Sequence, residues 1–244
     1  MIYITGDTHG DFIGVKPFCE KFNTSKEDIL IILGDAGINY DLGLKARQLK
    51  NRLDYLPITL FCIHGNHEER PYLVKNEEGK PLYEEKEMFG GIVYIEKKHP
   101  NIIFAKDGEY YHIGNHDYFV MGGAYSIDKF YRLSHGYNWF ESEQPDDEIK
   151  NRVEKKLKEL DYKVDIVLTH TAPLKYEPTE FFIPDLDQSK IDKTTEKWLD
   201  SIEDKLQYNE WYFGHYHHFK KVDKMIMLYR EIKKMDSEEQ YGRY

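Results

Sequence analysis

Hydrophobic positions along this chain fall into two rhythms that mark out its elements. Apolar runs at Ile2–Thr5 (IYIT), 28–35 (DILIILGD) and 57–63 (PITLFCI) predict strands buried on both faces, each closed by a turn-forming glycine. Between the second and third runs, Leu42, Ala46, Leu49, Leu53 and Leu56 recur at intervals of four and three, which is one face of an amphipathic helix. Strand, helix and strand in that order predict parallel pairing with right-handed crossovers. The middle of the chain changes character. GIVYI, NIIFAK, GEYYHI and YFVMGGAYS, between residues 91 and 126, are β-type runs separated by a few residues, and they predict antiparallel hairpins. A helix is expected over 144–160, with Pro and acids at its start, Ile149, Val153, Leu157 and Leu160 on one face, and lysines later. A strand at 164–170 (VDIVLTH), a helix carrying Trp198, Ile202 and Leu206, and a strand at 210–215 (EWYFGH) follow. The charged stretch 74–86 reads as a surface loop or insertion and 236–244 as a frayed tail; with no linker between, one α/β domain over 1–244 is expected.

Composition narrows the class. The 244 residues are 40% hydrophobic and 15% aromatic, with 20 Tyr and 13 Phe, as a folded chain requires. A net charge of −10 argues against an extended surface for duplex nucleic acid or for an anionic membrane. The longest apolar run, ILIIL at 29–33, is too short to span a bilayer, and the N-terminus enters the first strand without room for a signal peptide. Cys19 and Cys62 lack metal or redox spacing and read as buried free thiols of a reducing cytoplasm.

The candidate chemistry lies at strand ends, where ligands of α/β sheets gather. The first strand delivers GDTHG with Asp7 and His9, the second GD with Asp35, and the third GNHE with Asn66 and His67. The strand at 164–170 ends in His170, and EWYFGH runs into GHYH with His215 and His217. Carboxylates, an amide oxygen and imidazoles suit divalent first-row cations, and nothing here demands a soft ion. Seven ligands exceed the four of a structural zinc and suffice for two cations if one carboxylate bridges.

In order and spacing, D-x-H, GD, GNH[DE], a strand-terminal His and GHxH resemble the calcineurin-like metallophosphoesterase superfamily from Asp7 to His217. That resemblance implies a four-layer α/β sandwich of two mixed β-sheets flanked by helices. It implies two divalent metal ions, manganese first, with iron, zinc or nickel open. Asp7, His9 and His217 would hold one, Asn66, His170 and His215 the other, and Asp35 would bridge. His67 would serve as general acid or phosphoryl donor while a metal-bridging hydroxide attacks a phosphomonoester or phosphodiester. Expected substrates are a phosphorylated small molecule, a nucleotide or a phosphoprotein. A nuclease, a cyclic-nucleotide phosphodiesterase and a non-catalytic scaffold are the alternatives.

Two further features sharpen this reading. Gly-Asn-His before an acid occurs twice, at 65–68 and 114–117; the second copy lies between two hairpin runs, so Asn115 and His116 are expected in a turn. Many family members carry a second Asp three residues after GD that orients the histidine; here Ile38 stands there, with Asp41 or Glu68 as possible substitutes. Asn39 and His64 occupy the places of two phosphate-binding arginines of the protein phosphatase branch, which makes a dedicated protein serine/threonine phosphatase a poorer fit. For substrate contact, Arg70 and the GGAYSIDKFYR segment, with Lys129 and Arg132, are the candidates.

Overall fold

A computed structural model describes residues 1–184, 186–237 and 240–243. The first half builds β1 (Ile2–Thr5), α1 (Val15–Phe22), β2 (Ile29–Ile32), α2 (Leu44–Leu53) and β3 (Thr59–Cys62). Next come β4 (Glu84–Met88), β5 (Gly91–Ile95), β6 (Ile102–Ala105), β7 (Tyr110–Ile113), β8 (His116–Met121), α3 (Lys129–His135) and α4 (Asp147–Glu159). The remainder is β9 (Ile166–Thr169), α5 (Thr194–Glu203), β10 (Glu210–Phe213), β11 (Lys220–Val222), β12 (Met225–Met227), β13 (Glu231–Lys234) and β14 (Gln240–Arg243).

These strands form two mixed sheets. One is eight-stranded in the order β14-β13-β1-β2-β3-β6-β5-β4, the other six-stranded in the order β11-β12-β10-β9-β8-β7. Strands β1, β2, β3 and β6 run parallel in the first, and β8, β9, β10 and β12 in the second, so each parallel block sits between antiparallel neighbours. Alternation along each parallel strand assigns its side chains to opposite faces. In β2, Leu30 and Ile32 pack with Phe18, Cys19 and Leu49 under α1 and α2, whereas Ile29 and Ile31 pack with Val120, Leu168 and Tyr212 of the second sheet. On the far side, Val167 and Trp211 meet Ile149, Val153 and Leu157 of α4 and Leu199 and Ile202 of α5. Helices, sheet, sheet and helices are therefore the four layers expected from the sequence, and two buried faces explain why the parallel strands lack polar alternation.

Departures concentrate at edges. The stretch 74–86 is a loop only to Tyr83: a bridge pairs Lys75 with Pro81, and Glu84 opens β4, antiparallel to β5. Four of the five residues of β4 are exposed, so an edge strand carries the charges that suggested a loop. The tail expected to fray instead forms β14 over Gln240–Arg243, antiparallel to β13, while 238, 239 and 244 lie outside the described residues. The hairpins β5–β6 and β7–β8 are antiparallel as expected, but β6 also joins β3, and β8 joins β9, in parallel. Gly114 and Asn115 make the turn between β7 and β8, with Ile113 paired to His116. No helix among the described residues is long and apolar enough to cross a membrane.

Candidate metal centre

The loops after β1, β2, β3, β9 and β10 converge at the carboxyl ends of the parallel blocks. Asp7, His9 and His217 can place one donor atom each within 4.8 Å of one another, as can Asp7, Asp35 and His170. His217 Nε2 lies 3.2 Å and His9 Nε2 3.7 Å from Asp7 Oδ2, and the two ring nitrogens are 2.9 Å apart. Across the cluster, Asn66 Oδ1 lies 2.7 Å from His170 Nε2 and 3.1 Å from His215 Nδ1. Asp35 Oδ2 stands between the groups, 3.8 Å from His9 Nδ1 and 3.7 Å from His170 Nε2. All seven residues expected as metal ligands are thus brought together.

Hydrogen bonds aim the donors. Asp7 spends Oδ1 on the His215 amide at 2.9 Å and Asp35 spends Oδ1 on the His67 amide at 2.8 Å, which leaves each Oδ2 toward the centre. His170 Nδ1 donates to the Leu33 carbonyl at 2.7 Å; a carbonyl only accepts, so Nδ1 carries a proton and Nε2 is turned toward the centre. Asn66 Nδ2 donates to Ser126 Oγ at 2.9 Å, and Ser126 in turn hydrogen-bonds the Glu143 carboxyl, which also takes the Trp139 indole N–H at 2.7 Å. A carboxylate at the end of that relay only accepts, so the serine hydroxyl points to Glu143 and the amide presents its oxygen to the cluster.

Close approach explains the glycines. A Cβ on Gly65 would overlap the backbone nitrogen and Oδ1 of Asp35, and one on Gly214 would overlap Asp7 Oδ1. The backbone itself is tightly turned: His9, Asp35, His215 and His217 adopt φ of 48, 48, 67 and 56°, in the left-handed region.

Charge is finely opposed here. Burial pushes the Asp7 carboxyl upward, but His217, His170 and His9 outweigh it and hold the group below the usual carboxylate range. Burial likewise works against ionised Asp35, and His170 and His67 reverse the balance. Burial, aided by the neighbouring His170, pushes His215 down to about 3, so it is neutral. Asp7 Oδ2 is buried without a hydrogen-bond partner. An orphaned carboxylate oxygen among imidazoles and an amide oxygen is the donor set that hard-to-borderline divalent cations take, so these residues fit such ions.

The substrate candidates separate. Arg132 Nη2 lies 3.4 Å from His67 Nε2, and its Nε is held by both Asp128 oxygens at 2.8 Å. Arg70 is a correction: it is 2% exposed, ion-paired with Asp107 and donates to the Ser142 carbonyl at 2.8 Å, so the core takes its charge. Lys129 has its ammonium 4.0 Å from the centre of the Trp139 ring and does not line the cavity beside the metal residues. Neither substitute for the missing carboxylate touches His67: Glu68 accepts from the Ala36 amide at 3.2 Å and Asp41 from the Gly43 amide at 3.4 Å. His67 instead meets Asn66 Nδ2 at 3.2 Å and Arg132. Burial pushes its pKa down; Asp35 opposes this, and Arg132 adds to it. Tyr229, which no motif indicated, stacks on His217 with centroids 4.7 Å apart. Asn115 and His116 lie elsewhere, His116 held by Asp165 at 2.9 Å and by Asp236.

No curated protein matches the chain. Among solved structures 11 chains match; one crystal structure superposes with a TM-score of 0.53 at 13% identity, over 95% of this chain and 92% of its own, a likeness of fold alone. The family model for calcineurin-like phosphoesterases matches residues 1–219, which spans every strand-end residue of the centre. The chain therefore belongs to the calcineurin-like phosphoesterase family.

Proposed function

We propose that this chain is a dinuclear metal-dependent phosphoesterase acting on a phosphorylated small molecule in the cytoplasm. The observation that carries this reading is the convergence of Asp7 Oδ2, Asp35 Oδ2 and Asn66 Oδ1 with four imidazoles at one locus. Asp7, His9 and His217 would hold one cation, Asn66, His170 and His215 the other, with Asp35 between them. Divalent ions there, manganese first, would supply an activated water and neutralise charge on the phosphoryl oxygens.

The chain's own residues do the rest. Arg132 can only donate, so the His67 Nε2 that it faces holds a lone pair in this state. A phosphoryl oxygen arriving between them takes the guanidinium as its donor and frees Nε2. The dianion also favours protonated His67 and opposes the downward push of burial, so the ring can deliver a proton to the leaving oxygen. Asp128 and Tyr40 aim the guanidinium, and the guanidinium faces His67, which the buried Ile38 cannot orient. Free, buried Cys19 and Cys62 suit a reducing compartment.

The test is metal analysis with turnover of aryl phosphate and bis-aryl phosphate across a metal series. Asp35→Asn and His215→Ala are expected to lose metal and activity together. His67→Ala should keep its metal and slow turnover by about 100-fold or more. Purified protein that takes up no manganese, zinc, iron or nickel would refute the reading.

A further inference from the structure

The metal centre occupies one end of a cavity of about 420 Å³, within the range of sites that enclose a whole small molecule rather than a phosphoryl group alone. Away from the centre the apolar part of its wall joins four aromatic residues, Tyr125 from the β8–α3 connection, Phe181 and Phe182 from the segment before α5 and Tyr216 from the GHYH loop, to four aliphatic ones. The rings are ordered in pairs. Phe181 lies face to face on His218, centroids 4.0 Å apart and planes at 12°, and Phe182 runs nearly parallel to Tyr216, 6.3 Å away at 19°.

Charge on this wall points the same way. Among the described residues, Lys193 is the one lysine or arginine lining the cavity. It is paired with Glu177 at 2.6 Å and lies 4.8 Å from the centre of the Phe182 ring. Asp128, Glu177 and Glu196 line the same space. The first two acids already hold Arg132 and Lys193, so a second phosphate on the substrate would find no unclaimed cation, whereas a flat uncharged ring would meet aromatic faces.

We infer that the substrate is a phosphoester whose leaving group carries a planar aromatic or heteroaromatic ring and no further phosphate. This rests on the phosphoesterase reading above. In the reaction, water's oxygen bonds to phosphorus as the bond to the ester oxygen breaks. That oxygen keeps the electron pair and takes a proton, leaving inorganic phosphate and the ring-bearing alcohol.

The test uses the full, manganese-loaded chain with benzyl and cyclohexylmethyl phosphate, which differ in flatness while their leaving oxygens have similar basicity. The matching phosphonates, which cannot be hydrolysed at that position, are measured by calorimetry. Benzyl phosphate is expected to show roughly tenfold lower KM, and benzylphosphonate correspondingly tighter binding. Phe182→Leu, which keeps apolar bulk without a ring, should shrink that ratio toward one, and Phe182→Ala should do the same. Equal KM for the two esters, or a preference for a nucleoside diphosphate or a phosphoserine peptide, would overturn the inference. If no ester is turned over but the phosphonates still discriminate in a Phe182-dependent way, hydrolysis fails while aromatic recognition stands.

Discussion

The same letters, Gly-Asn-His and an acid, end in opposite circumstances at 65–68 and 114–117. The first copy follows β3, a buried strand inside a parallel block, and its Asn66 is 2% exposed with Oδ1 between two imidazoles. The second is the turn of an antiparallel edge hairpin; Asn115 is exposed, and His116 is engaged on both ring nitrogens by Asp165 and Asp236. What distinguishes them is company rather than sequence. A parallel block places several strand ends side by side, so one loop acquires carboxylates and imidazoles from its neighbours, whereas a hairpin turn at the sheet edge meets only what lies beside it.

The contrast can be broken most sharply at its two asparagines. Asn66→Ala should cost more than about 100-fold in metal affinity, with activity lost in parallel, while Asn115→Ala should match the parent in metal titration and turnover. A smaller effect is expected one bond further out. Ser126→Ala removes the acceptor that fixes the Asn66 amide and should weaken metal binding by about 10-fold, read by titration of the metal-free chain, with Ser126→Thr restoring it.

Acidity tests the neighbourhood next. Burial raises the Glu196 carboxyl to about 7, so the folded chain favours its protonated form. Its contribution is full below the unfolded value near 4.5 and is lost as pH rises through 7, worth roughly 3 kcal/mol over that window. Glu196→Gln should therefore gain stability over the parent between pH 5 and pH 8 in denaturant titrations. The smallest effect belongs to the second copy. Burial works against protonated His116, but Asp165 and Asp236 raise its pKa, so the stabilisation is present at low pH and fades as pH climbs through the raised value. These groups are partly exposed, so His116→Ala should cost no more than about 1 kcal/mol at pH 6 and nothing at pH 9.

Legibility in the sequence followed how local the cause was. Strands β1, β2 and β3 announce themselves because both faces are buried, and their terminal ligands come with them. Strand β4 and β11 carry edge charges, and β14 exists through pairing with β13, which no local pattern encodes. Helix α3 has no buried residue and so no apolar stripe to read, yet it delivers Arg132. Arg70 misled because adjacency to GNHE says nothing of direction, and a carboxylate from the β6–β7 loop, Asp107, claimed it. Tyr229 lies beyond the matched residues 1–219, between β12 and β13, where a ring acquires meaning only once the chain has folded back on His217.

The left-handed φ values at His9, Asp35, His215 and His217 carry a last consequence. Each such conformation costs on the order of 1–3 kcal/mol, and mutual contacts at the centre are what keep all four in place together. The proposed cations would tie these loops a second time, so chelation is expected to slacken them first, over intact sheets, changing stiffness at the mouth more than architecture.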